Sequence, residues 1–268
     1  MANPLSHWTK IMNKQTTIDP KEVAFYQKMS ALWWQEGGPF WPLHRMNGVR
    51  MGFIRDTLMT EFGLDPTSDS PLQGLRILDI GCGGGILSEA IARLGASVHG
   101  VDVATKNIAI AAQHAELSGL AIDYELASAE ILAGRGEVYD VVLNMEVVEH
   151  VAELDLFMNA CMRLVRPGGV MVVATINRTI ASWLGAIIMA EYVLGWLPRG
   201  THRWSRFPTP VEVENLLAGD GMRVFTSTGV TVNPFTKRFR LTPYVGINYI
   251  LAARKTFDPL GGFTEMLD

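Results

Sequence analysis

Cysteine is nearly absent from this chain. Its 268 residues include two, Cys82 and Cys161. Neither belongs to a Cys-x-x-Cys pair or to a metal-ligand spacing, which counts against a disulfide scaffold or a thiolate metal centre and points to a reduced, cytoplasmic type of compartment. Positive charge is also in short supply. A net charge of −4 leaves no basic footprint, so DNA or RNA is not the expected partner. Residues 1–20 lack both the apolar core of a signal peptide and the Arg/Ser-rich character of a transit peptide. The chain has no internal repeat and no low-complexity tract. With 48% hydrophobic and 19% charged residues it reads as globular, and its length suits one large α/β domain with extensions better than two domains.

What is present is an alternation of apolar runs and amphipathic stretches. Strands are expected near 75–80, 97–101, 122–126, 138–144 and 170–176, with helices over 86–94, 105–118 and 153–165. Such alternation predicts a parallel sheet with right-handed crossovers. Upstream, Asp19-Pro20-Lys21-Glu22 reads as a helix start: Asp as cap, Pro in the first turn, Glu three residues after the cap. That helix is expected to run to about Trp34 and to break at Gly37-Gly38-Pro39, with a second helix from Arg45 to Phe62. Thr209-Pro210 starts a further helix ending at Gly219, and strands near 222–229 and 247–254 bring the expected sheet to seven strands. The expected organisation is a helical extension and linker (1–74), an α/β domain (75–255) with an apolar insertion at 177–208, and a tail (256–268).

Chemistry enters at the end of the first strand. Asp79-Ile80-Gly81-Cys82-Gly83-Gly84-Gly85 joins that strand to a helix, and glycines there let main chain approach a ligand that a side chain would block. The second strand ends in Asp102, placed to accept from a ribose hydroxyl pair. A dinucleotide fingerprint would need its third glycine where Ile86 stands. The carboxylate of Asp79 would repel a pyrophosphate and suits a cationic amino-acid head group. This pattern resembles the glycine motif of the Rossmann-like (class I) S-adenosylmethionine methyltransferases. The resemblance implies cofactor contacts at Asp79, Gly81, Gly83, Gly85 and Asp102.

Three further clusters fall on the same sheet edge. Ser128-Ala129-Glu130 follows the third strand, where it either contacts an adenine or is an ordinary cap with a surface acid. Met145 ends the fourth strand, either against the adenine or as core. Glu146-Val147-Val148-Glu149-His150 comes next. If the chain turns helical there, Glu146 shares a face with Glu149 and His150. Three readings are open for this trio: an oxygen-rich site for Mg2+, metal-free chemistry with His150 as general base, or exposed helix-start residues complementing the dipole.

Residues outside that core narrow the family. The run from Trp33 through Arg50 (WWQEGGPFWPLHRMNGVR), with Glu146-x-x-Glu149-His150, Thr175-x-Asn177-Arg178, Ala190-Glu191-Tyr192, Pro198-x-Gly200-Thr201-His202 and Asn233-Pro234, resembles the ubiquinone-biosynthesis O-methyltransferases over about residues 20–255. Pro39-Phe40-Trp41 and the tail after Lys255 depart from that pattern. The resemblance implies methylation of polyprenylated catechol-type phenols and quinols, with S-adenosylmethionine contacted by Arg50, Gly81, Asp102 and Met145. Arg50 would hold the methionine carboxylate. The resemblance further implies Mg2+ on Glu146, Glu149 and His150, and a ubiquinone-biosynthesis complex as partner.

The segment Ile180–Leu197 carries a single charge, Glu191, between Arg178 and the cluster Arg199, His202 and Arg203. A membrane span there would strand the final β-strands across the bilayer from their own sheet. The remaining readings are a buried cap and an interfacial helix, over 178–203, resting on inner-membrane lipid and leading a polyprenyl tail to the site.

Overall fold

The computed structural model describes residues 16–183, 204–233 and 235–256. The expected tail and most of the expected insertion lie outside these residues, and with them the question of what 184–203 form. Eight strands make one sheet in the order β3-β2-β1-β4-β5-β8-β6-β7. They are β1 (Arg76–Ile80), β2 (Ser97–Asp102), β3 (Asp123–Leu126), β4 (Tyr139–Met145), β5 (Val165–Ile176), β6 (Met222–Asn233), β7 (Arg238–Thr242) and β8 (Asn248–Lys255). The first five are parallel, and β8 runs antiparallel between β5 and β6.

Among the described residues the helices of six residues or more are α1 (Pro20–Met29), α2 (Trp41–Phe62), α3 (Ile86–Ala92), α4 (Thr105–Leu117), α5 (Ala129–Gly134), α6 (Leu154–Leu164) and α7 (Pro210–Gly219). Alternation along the strands sends Leu78, Ile80 and Val142 into one apolar layer and Ile77, Val141 and Leu143 into the other. Ile54 and Leu58 of α2 are buried in that second layer, which ties the N-terminal extension to the sheet. The strand order reverses between β1 and β4, so their carboxyl ends open a crevice of the kind that doubly wound sheets use for ligands.

Local chemistry sets the element ends. Pro42 occupies the first turn of α2, and Gly63, at φ 63°, closes it with its N–H on the Met59 carbonyl. Thr209 and Glu212 form the reciprocal capping box that starts α7.

The sheet has one strand more than the seven expected. β6 runs on to Asn233 and folds back as β7, pairing Gly229 with Thr242 and Asn233 with Arg238. The sequence Arg-Phe-Arg-Leu-Thr alternates polar and apolar residues as a strand does, but over only five residues, and its arginines on the edge strand discourage further pairing. Helix α5 is six residues long, too short for a helical period to show. The first helix also ends early. α1 stops at Met29, and a 3-10 turn at Ser30–Leu32 carries the chain toward Trp33.

Candidate active site

The crevice is a cavity at the carboxyl ends of β1, β2 and β4, roofed by residues from α1 and α2. Of the cofactor residues expected from sequence, Arg50, Asp79, Gly81, Gly83, Asp102, Ser128, Ala129, Glu130 and Met145 all line it. Gly85 does not: it precedes α3 at φ 84°, with a role in turning the chain into the helix. Gly81 and Gly83 have φ of 67° and 55°, which disfavours any side chain. Packing forbids one as well. A Cβ on Gly81 would stand 2.6 Å from the Val147 side chain, and one on Gly83 2.6 Å from the Trp33 ring.

Two carboxylates are buried beside this bare main chain. Asp79, 3% exposed, accepts a hydrogen bond of 2.6 Å from the Ser88 hydroxyl. Burial outweighs that bond and, helped by the charge of Asp102, pushes its pKa up to about 7. Asp102 accepts from the backbone N–H of Ala104 at 2.7 Å and of Gly83 at 3.0 Å, and from the Asn107 amide at 3.3 Å. Burial raises its pKa also, against those bonds. A pair of desolvated acids facing a cavity favours a cation beside them.

Across the cavity, Arg50 of α2 is 5% exposed and ion-paired with Glu146, and its Nε has no hydrogen-bond partner. Glu146 adopts φ 59°, a left-handed conformation costly for a residue with a side chain and concentrated at functional sites. Its N–H donates to the Ala174 carbonyl at 2.8 Å. The chain after β4 is therefore a turn, closed by the His150 N–H on the Val147 carbonyl.

That turn corrects the expected helical face. Glu146 and His150 line the cavity, whereas Glu149 sits behind its wall, 4% exposed. Glu149 accepts from the Thr175 hydroxyl at 2.7 Å, and its other oxygen is buried without a partner. Burial, then the nearby Glu146 charge, pushes its pKa up to about 7. Both nitrogens of His150 are engaged, Nε2 with the Tyr26 hydroxyl at 3.1 Å and Nδ1 with Glu22 at 3.1 Å. Among the described residues no group of three or more His, Cys, Asp or Glu side chains is arranged to hold a metal ion. The trio does not fit Mg2+ as it stands: Glu146 is paired with Arg50, Glu149 with Thr175, and both His150 nitrogens are engaged.

The roof is what sequence reasoning missed. Thr17, Asp19, Glu22, Tyr26 and Trp33 all face the cavity. The Thr17 hydroxyl donates to Glu130. Trp33 donates from its indole to Asn107 at 2.9 Å, Trp34 donates to the Gly84 carbonyl at 2.7 Å, and the Trp34 ring stacks on His114 at 3.4 Å. Glu22 stood in plain sight as the acid of an expected capping box. Asp19 does cap α1, accepting from the Lys21 N–H at 2.9 Å, but the Glu22 side chain turns to His150 instead.

Known proteins resemble this chain in sequence and in fold. A family model described as a methyltransferase domain matches residues 78–173. A ubiquinone biosynthesis O-methyltransferase of Rhizobium etli is 51% identical over 241 residues, covering 90% of this chain and 97% of that protein. Its counterpart in Sinorhizobium fredii is 52% identical with the same coverage. The crystal structure of magnesium protoporphyrin IX methyltransferase from Synechocystis with bound SAM superposes with a TM-score of 0.57 at 16% identity, over 90% of this chain and 100% of that one, and shares the fold. The chain belongs to the ubiquinone biosynthesis O-methyltransferases, on a Rossmann-like methyltransferase fold.

Proposed function

We propose that the protein moves the methyl group of S-adenosylmethionine onto a catechol-type hydroxyl of polyprenylated intermediates, converting 2-polyprenyl-6-hydroxyphenol to its methoxy form and 3-demethylubiquinol to ubiquinol. The observation that carries this reading is the pairing, in one cavity, of two buried acids with bare main chain on one side and a buried arginine on the other. The cofactor has matching parts. Its ammonium and sulfonium suit the field of Asp79 and Asp102. Its ribose suits Asp102, which would exchange some of its bonds to Gly83, Ala104 and Asn107 for the ribose hydroxyls. Its carboxylate competes with Glu146 for Arg50, a charge-assisted contact contributing about 1.5–3 kcal/mol. Met145 and the Ser128–Glu130 turn flank the place left for adenine, with Gly81 and Gly83 under the methionine.

A phenol with pKa of about 10 is mostly protonated at neutral pH, so the acceptor must lose its proton as it attacks. His150, on the cavity wall, takes that role. Holding oxygen, methyl carbon and sulfur in line contributes about 7–11 kcal/mol to lowering the barrier. Mg2+, expected from the resemblance, would require Glu146 to leave Arg50, Glu149 to turn from Thr175 and His150 to give up a nitrogen.

A greasy acceptor needs an apolar approach. Among the described residues no helix is long and apolar enough to cross a membrane. At the two ends of the 184–203 segment, however, Ile180, Trp183 and Trp204 are exposed. This supports contact of 178–203 with inner-membrane lipid as the route for the isoprenoid tail.

Transfer of labelled methyl from S-adenosylmethionine to a short-chain prenyl catechol tests the assignment. Label is expected on one catechol oxygen, with a strong preference for acceptors that carry the tail. Equal rates on tail-less catechol, or no transfer, would remove the proposed substrate class.

A further inference from the structure

Helix α1 delivers a carboxylate to the imidazole that faces the acceptor. We propose that Glu22 is a positioning residue for methyl transfer: it fixes the His150 proton on Nδ1, so that Nε2 is the nitrogen that receives the acceptor's hydroxyl proton. The inference rests on the reading of His150 as proton acceptor.

The hydrogen-bond directions leave one tautomer. Glu22 lies 3.1 Å from Nδ1, and an ionised carboxylate can only accept, so Nδ1 carries the proton. In the neutral imidazole Nε2 is then the acceptor, and the Tyr26 hydroxyl, 3.1 Å away, donates to it. Charges around the pair agree with these roles. The hydrogen bond from His150 holds the Glu22 carboxyl below its usual range, although burial opposes it. Burial, followed by the charges of Glu149, Glu22 and Glu146, holds the Tyr26 phenol well above its usual range, so it stays a donor. Glu22 is itself steadied. Arg206 stands 4.0 Å from its second oxygen and binds Asp19, the α1 cap, at 2.8 Å.

Tyr26 also marks the acceptor's place. It is a phenol donating to Nε2, as the acceptor must before reaction, and both side chains face the cavity. When the acceptor hydroxyl displaces Tyr26, its O–H bond breaks and the proton passes to Nε2. The oxygen pair forms the bond to the methyl carbon, and the C–S bond gives its electrons to sulfur. The products are a methyl ether, S-adenosylhomocysteine and an imidazolium that Glu22 steadies until Nε2 returns its proton to water. This is the general logic of an oriented base, with the orienting acid supplied from the N-terminal extension.

The rival role for Glu22 is a clasp that only holds α1 over the cavity. A cycle of Glu22→Gln, His150→Gln and the double variant in the full chain separates the two, with kcat, acceptor KM and S-adenosylmethionine affinity measured for each. Glu22→Gln is expected to lower kcat about 10–100-fold while acceptor KM and cofactor affinity hold, and Glu22→Asp to recover part of the loss. In the His150→Gln background, Glu22→Gln should cost nothing further. A loss that persists in that background, or cofactor affinity falling alongside kcat, would make Glu22 a clasp and overturn the inference. If His150→Gln turns over at the parent rate, the proton-acceptor reading fails and the inference with it. If only Glu22→Gln does, the inference alone fails.

Discussion

With the Ser88 hydroxyl as its hydrogen-bond donor, Asp79 carries its charge at a cost that shows in its pKa, raised by burial from 3.8 to about 7. Between those two values the folded state binds more protons than the unfolded one, so the Asp79 contribution to stability falls as pH rises through the window. Three units correspond to about 4 kcal/mol by the end of it. Asp79→Asn is therefore expected to raise the thermal midpoint of the ligand-free protein at pH 8, with little change at pH 4, while weakening S-adenosylmethionine binding. Melting curves and calorimetry at both pH values check this, and a lower midpoint at pH 8 would contradict it. A cationic cofactor should pull the Asp79 pKa down, so binding near pH 7 is expected to release protons. Titrations in buffers of different ionisation enthalpy would show it. On the opposite wall, Arg50→Met is expected to weaken the cofactor by about 1.5–3 kcal/mol, an order of magnitude or two in affinity.

Elements differ in how plainly their sequences announce them. β1, α3, β2 and α4 are legible because apolar runs and periods end at glycines or capping positions with a direct mechanical meaning. Cofactor residues on those elements are legible with them. α5 and β7 are not, one too short to show a helical period and the other an edge strand whose alternation lasts only five residues. Glu146, Glu149 and His150 are readable as chemistry but not as geometry, since one residue at φ 59° undoes the helical spacing. Glu22 escapes notice because a local rule, the capping box, competes with a long-range partner that only the fold brings near. Where that local rule does hold, its cost can be measured. Thr209 caps α7 through the Glu212 N–H, so Thr209→Ala should destabilise the protein by about 1 kcal/mol in chemical denaturation. An unchanged midpoint would mean that packing of Val213 and Leu217 alone sets that helix.

At the scale of the whole molecule, the N-terminal extension closes the site rather than decorating it. Trp33 lies against Gly83 and bonds Asn107, Trp34 bonds the Gly84 carbonyl, and α1 holds His150, so a cofactor under this roof must order it further. S-adenosylhomocysteine is expected to slow amide exchange across α1 and the turn that follows it, and exchange limited to the glycine loop would contradict that. Near the roof, where Arg206 pairs with Asp19, exposed Trp204 borders the apolar segment, as do Ile180 and Trp183 at its other end. Replacing Trp183 and Trp204 with Ser should reduce flotation with anionic vesicles and leave turnover on a water-soluble, short-chain acceptor largely intact. The most direct measurement is a crystal structure with S-adenosylhomocysteine bound. The ribose should lie on Asp102, the amino-acid carboxylate on Arg50 in place of Glu146, and the sulfur toward His150. A cavity left empty, or the ligand bound elsewhere on the sheet, would contradict the account.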